Sequence, residues 1–239
     1  MELNKYNKPS PIPLAKDLMA LSLLLNEKAN AIMESGRAEI TPSEYRELSE
    51  ITLAQLVLFN KRRAGEAERL EVKQFIEGVE HGKTVHEEVL ESLSPLERKL
   101  VDVIDRVEIR WKRGRRVAIL LPQILKKQVD VLFKCRSSAY IDESNKYVFA
   151  RPGKTPFRST DALRKYAALC GAKQPHTLTS TGFRKHVATM SQMLNLKDNE
   201  LNVLATFLGH DIRVHREYYR LPENTIQVNK LSFMIVRLV

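Results

Sequence analysis

The residues best suited to chemistry lie between His176 and Pro222. There Arg184-Lys185-His186 is followed by Leu208-Gly209-His210, and Tyr219 stands nine residues after His210. An arginine offers a planar fork that gives a phosphate two parallel hydrogen bonds and keeps its charge. A histidine is a further donor, and a tyrosine oxygen is a nucleophile once its surroundings activate it. Each has an ordinary reading beside this one. A lone tyrosine in a helical stretch usually packs half-buried, and a histidine after a glycine can simply finish a helix. Two basic runs lie upstream, Lys61-Arg62-Arg63 and Arg110 to Arg116. Runs of this kind are commonly solvated, and a basic hairpin can serve only to grip phosphates.

Order and spacing give these residues more weight together than singly. Phe183-Arg184-Lys185-His186-Val187-Ala188-Thr189, then Leu208-Gly209-His210, then Tyr219-Arg220 resemble the tyrosine recombinase and integrase family. Arg63-Ala64-Gly65-Glu66, followed by Leu70, resembles the segment carrying that family's first arginine, and Lys112 its β-hairpin lysine. The likeness runs from about residue 10 to residue 222. Thr179-Ser180-Thr181 and Tyr219-Arg220-Leu221-Pro222 look most like recombinases of eukaryotic mobile elements, the Crypton-like group. The resemblance implies DNA cleavage and rejoining through a 3′-phosphotyrosyl intermediate, with neither metal nor other cofactor. A phosphodiester under attack gains negative charge, which fixed cationic donors stabilise. By resemblance Arg63 and Arg184 form that clamp, His210 adds a hydrogen bond, and Lys112 protonates the departing 5′ oxygen. Tyr219 attacks phosphorus, and Glu66 orients Arg63. Arg110, Arg113, Arg115, Arg116 and Lys185 are expected on the DNA backbone. The implied partners are double-stranded DNA and further copies of the chain, as a tetramer on DNA, in the nucleus.

Alternatives stand beside these assignments. Arg62 competes with Arg63, although Glu66 three residues on favours Arg63. Tyr218 neighbours Tyr219, and several basic residues surround Lys112. Thr181 occupies the place, three before the second arginine, where the family usually carries a histidine or lysine. Either a hydroxyl serves there, or the chain is a catalytically impaired, recombinase-derived DNA-binding domain. Residues 1 to 40 are also too few for the DNA-binding domain that usually precedes the catalytic one. A third possibility is a helical protein-binding domain that does not bind DNA.

The elements that must position these residues are mostly helical. Apolar spacing predicts a helix from Leu14 to Glu34. Thr41-Pro42-Ser43-Glu44 has capping-box form and opens a deeply buried helix towards Asn60. Leu70 to Glu80 reads as a short helix, and Ser94-Pro95-Leu96-Glu97 opens another through about Ile104. Val107 to Trp111 and Val117 to Leu121 then read as a hairpin turning near Gly114. Helix returns from Gln123 to Phe133, Tyr147 to Ala150 is a short strand at best, and the rest from Thr160 is helical. The fold class is therefore mainly α with a small antiparallel β-sheet. The expected organisation is an extended lead-in to residue 12, a catalytic domain over 13–222 and a C-terminal helix or tail over 223–239.

Composition agrees with a polyanionic partner. Lysines and arginines number 39 against 29 acidic residues, a formal net charge of +10, and nucleic acid is the first candidate for such a balance. The 43% hydrophobic content supports a packed core rather than disorder. Cys135 and Cys170 lack metal-type spacing, suggest no disulfide framework and are expected in the core of a protein from a reducing compartment. No apolar run is long enough to span a membrane, the first residues lack a signal-peptide core, and no glycine-rich phosphate loop is present.

Overall fold

The computed structural model of the chain describes residues 11–35, 39–81, 91, 93–110, 116–191 and 198–208. Its elements are α1 (Ala15–Met33), α2 (Pro42–Asn60), α3 (Ala64–Glu68), α4 (Val72–His81), α5 (Pro95–Val103), β1 (Ile104–Arg110), β2 (Arg116–Pro122), α6 (Gln123–Lys134), α7 (Ser159–Leu169), α8 (Ser180–Ser191) and α9 (Asp198–Phe207). The predicted class, mainly helical with one small antiparallel sheet, is the one observed.

Helix α2 is the axis of the molecule. The Thr41 hydroxyl accepts the Glu44 amide at 3.2 Å, and Glu44 accepts the Thr41 amide at 2.8 Å, so the predicted capping box is complete. Burial extends around the helix, because α1, α6 and α7 all pack against it. A helix enclosed this way must satisfy its polar side chains internally. Thr52 donates to Gln128 of α6 at 2.8 Å, Gln55 donates to Asn26 of α1 at 2.8 Å, and Glu50 accepts Lys165 of α7 at 2.6 Å. Phe59 is the exception among its apolar residues and remains 44% exposed.

Strands β1 and β2 pair antiparallel from Ile104↔Pro122 to Arg110↔Arg116. Asp105, Val107 and Ile109 point inward opposite Leu121, Ile119 and Val117, the two-residue alternation of a sheet with one buried face. The first strand starts at Ile104, three residues before its predicted start, because Leu120 to Pro122 offers Ile104 to Arg106 a pairing partner. Helix α4 lies close on β1, where a side chain at Gly78 would come within 2.8 Å of Val107. The turn near Gly114 and Trp111 lie outside the described residues.

The stretch predicted as a marginal strand at 147–150 forms two isolated bridges, Glu71↔Tyr147 and Ala150↔Pro156. Buried Asn145 holds this loop by donating to the carbonyls of Arg151, Gly153 and Thr155 at 3.1, 2.7 and 3.2 Å. Asp17 of α1 is likewise buried and accepts the amides of Lys173 and Gln174 at 3.0 and 2.9 Å. That tie fixes the approach to the 3-10 turn Pro175–Thr177 and to α8. Cys135 is buried, and Cys170 packs against the edge of the core.

Candidate active site

The basic run at the end of α2 gives its three side chains three separate tasks. Lys61 ends the helix in the left-handed conformation, φ 52° and ψ 32°. This turns the chain into α3 and sends the next side chains in different directions. Its ammonium lies 5.2 Å from the centroid of Phe183 on α8. Burial lowers its pKa from 10.5 to about 8. Arg62 is enclosed, with its side chain 7% exposed. It donates to Glu66 at 2.9 Å and to the Ala118 carbonyl of β2 at 3.1 Å, and it stacks 4.9 Å from the Phe207 ring of α9. Arg63 caps α3 and stays 46% exposed at the surface.

This division bears on the competition between the two arginines. Arg62 is committed to the interior, whereas Arg63 faces solvent where a phosphate can reach it. Glu66 is buried and serves both, but it holds Arg62 at 2.9 Å and Arg63 at 3.5 Å. The carboxylate expected to orient Arg63 is therefore first of all the counter-ion of Arg62. A buried charge needs such a partner, since leaving it alone costs several kcal/mol.

The same junction holds the base of the hairpin. The Asn60 side chain donates to the Leu120 carbonyl at 2.9 Å and accepts the Leu120 amide at 2.8 Å. Together with Arg62 on Ala118, it occupies the edge of β2 turned away from β1, a row of backbone groups that would otherwise be unpaired. The second strand of the hairpin is thus anchored to the two residues, Asn60 and Arg62, that flank Lys61. Arg116 is exposed and pairs with Glu108 at 3.6 Å. Arg110 ends β1. Lys112, Arg113 and Arg115 lie outside the described residues.

Helix α8, which carries Arg184, meets the same junction through Phe183 under Lys61. The Thr179 hydroxyl accepts the Gly182 amide at 3.0 Å and so caps the helix. Gly182 is required because a β-carbon there would sit 2.1 Å from the Thr177 carbonyl oxygen. Phe183 is fully buried beneath Lys61. Its neighbour Arg184 is partly exposed, with its Nε enclosed. Thr181 is exposed on the first turn, and Lys185 and His186 are partly buried. Burial first, and then the nearby Lys61 charge, lower the His186 pKa below its usual 6.5. At neutral pH this imidazole is uncharged. Helix α9 ends at Phe207 against Arg62, with Leu208 buried behind it. His210, Tyr218 and Tyr219 lie outside the described residues.

The end of α2 therefore gathers Arg63, the base of the basic hairpin, the segment bearing Arg184 and the segment that runs on to His210. Lys61 and His186 join this gathering without having been expected. The signal for Lys61 was present in the basic run, but only the α2 geometry distinguishes it from a solvated charge.

No protein-family model matches the chain, and no curated protein matches it in sequence. Solved structures do. The XerH site-specific recombinase bound to palindromic difH substrate, in a post-cleavage complex, superposes with a TM-score of 0.59 at 13% identity, over 91% of this chain and 52% of that one. The pre-cleavage complex of XerH with difH gives a TM-score of 0.58 at 14% identity, over 94% and 55% of the two chains. The chain has a fold like the tyrosine recombinase catalytic domain, and it spans about half the length of the recombinase chains it matches.

Proposed function

We propose that this chain cleaves and rejoins double-stranded DNA through a covalent phosphotyrosyl intermediate, as a site-specific recombinase or integrase. The observation that carries the reading is the convergence at the end of α2. Arg62 alone ties β2, α3 and α9 together, while Lys61 seats the Arg184 helix on the same junction. Such a design holds Arg63 and Arg184 on rigid supports, as stabilisation of a charged transition state demands. XerH, whose fold this chain resembles, was captured on its DNA substrate before and after cleavage.

In this reading the phenolic oxygen of Tyr219 attacks phosphorus, and the bond to the 5′ oxygen breaks. Arg63, Arg184 and His210 carry the added charge on the non-bridging oxygens. Lys112 supplies the proton to the departing 5′ hydroxyl. The phosphotyrosyl bond conserves the energy of the broken linkage, so attack by a 5′ hydroxyl of a partner strand reseals the DNA. Exposed Arg116, with Arg110, Arg113, Arg115 and Lys185, grips the backbone. Assembly of four copies on two duplexes, and a nuclear mobile-element setting, belong to the same proposal on the strength of the sequence resemblance.

Covalent trapping on nicked suicide substrates drawn from a pool of element-end sequences tests it. A denaturation-resistant protein–DNA adduct is expected from the wild type and none from Tyr219→Phe. The exposed Thr181, in the family's usual histidine or lysine position, favours a second reading, a DNA-binding domain that no longer cleaves. Salt-sensitive DNA binding without any adduct would select that one.

A further inference from the structure

We infer that Lys61 is a phosphate-binding residue of this site, its ammonium engaging a DNA phosphodiester beside those held by Arg63 and Arg184. The inference rests on the DNA-directed reading above and adds a cation to it.

Three features of Lys61 point the same way. Its backbone is left-handed, a conformation that costs a residue with a β-carbon about 1 kcal/mol and that glycine adopts freely at a helix end. Its ammonium is partly buried, and among the described residues no carboxylate lies within ion-pair distance of it; the nearest carboxylate in sequence, Glu66, is spent on Arg62 and Arg63. The face of α8 beneath it offers the Phe183 ring and His186, and His186 is uncharged at neutral pH. A lysine placed to serve only as a helix end would swing into solvent, where its charge is fully hydrated. The left-handed backbone and the burial of the ammonium each cost stability, and strain of this kind clusters at ligand-binding sites.

The ligand must be an anion, and the surroundings specify which. Arg63 lies two residues along the chain, and Arg184 is the next residue after Phe183, on whose ring the ammonium rests. A polyanion with regularly spaced charges can meet all three, whereas a single carboxylate has only two oxygens to share, as Glu66 shares its own between Arg62 and Arg63. At pH 7 the ammonium is still mostly charged, and a phosphate close to it would raise the lowered pKa again.

The test compares wild type, Lys61→Gly and Lys61→Arg for binding to a mixed-sequence DNA duplex over a range of salt concentrations at pH 7. Glycine suits the left-handed position, so Lys61→Gly should fold normally. Loss of one phosphate contact should lower the slope of log K against log salt by about 0.9 in magnitude, and Lys61→Arg should restore it. An unchanged slope in Lys61→Gly overturns the inference, and so does a wild type that does not bind duplex DNA at all. Adduct formation by the wild type is scored separately. A shallower slope without any wild-type adduct sustains Lys61 and rejects strand cleavage. An adduct with an unchanged slope does the reverse.

Discussion

Replacing Lys61 by methionine should make the protein more stable, and by an amount that depends on pH. The side chain keeps its length and its contact with Phe183 but loses its charge. Burial lowers the lysine pKa from 10.5 to about 8. At about 1.4 kcal/mol per unit, protonated Lys61 thus costs the folded state about 3 kcal/mol at pH 7. The Phe183 ring at 5.2 Å returns about 0.5–1 kcal/mol of this through attraction to the cation. The left-handed strain is common to both proteins and cancels. The net gain for Lys61→Met is about 2 kcal/mol at pH 7, or roughly 4–8 °C in Tm for a chain of this size.

The pH dependence distinguishes this cause from better packing. Between pH 8 and pH 10.5 the unfolded wild type binds a proton that the folded wild type has shed, so wild-type stability rises with pH through this window. At pH 9.5 the burial cost of Lys61 has fallen to about 1.4 kcal/mol and the neutral amine no longer gains the attraction of the ring, so the advantage of methionine should shrink from about 2 to about 1.4 kcal/mol. Thermal melts of both proteins at pH 7 and pH 9.5 suffice. Loss of the Lys61 charge should also let the His186 pKa rise, visible in an NMR titration. A variant no more stable than wild type at pH 7, or one whose gain is equal at both pH values, would refute the reasoning.

Two further outcomes follow from the packing. Glu66→Ala leaves Arg62 enclosed without its carboxylate and should cost about 3–5 kcal/mol in urea unfolding, while the double change with Arg62→Met should recover most of that loss; a single-variant cost under about 1 kcal/mol would show that Arg62 does not depend on Glu66. Gly182→Ala should destabilise by about 1–3 kcal/mol in thermal melts, since the 2.1 Å approach to the Thr177 carbonyl outweighs the better helix propensity of alanine. Equal or higher stability would mean that α8 shifts at little cost.

What the sequence by itself determined was mostly local. Thr41-Pro42-Ser43-Glu44 announced the start of α2 because a capping box is satisfied within four residues. The alternation in Val117 to Leu121 announced a strand because one face of a pleat is buried. The order of Arg63, Arg184, His210 and Tyr219 suggested a phosphate-directed site because residue type and spacing are written along the chain. Lys61-Arg62-Arg63 resisted such a reading, as three adjacent cations look alike in sequence. Only the tertiary structure separated them, through a left-handed turn at Lys61, an acceptor for Arg62 on Ala118 lying 56 residues away, and the Phe207 ring of α9. Burial and partnership are long-range properties, and they decided which cation holds the fold, which faces solvent, and which is held at a cost against the helix of Arg184.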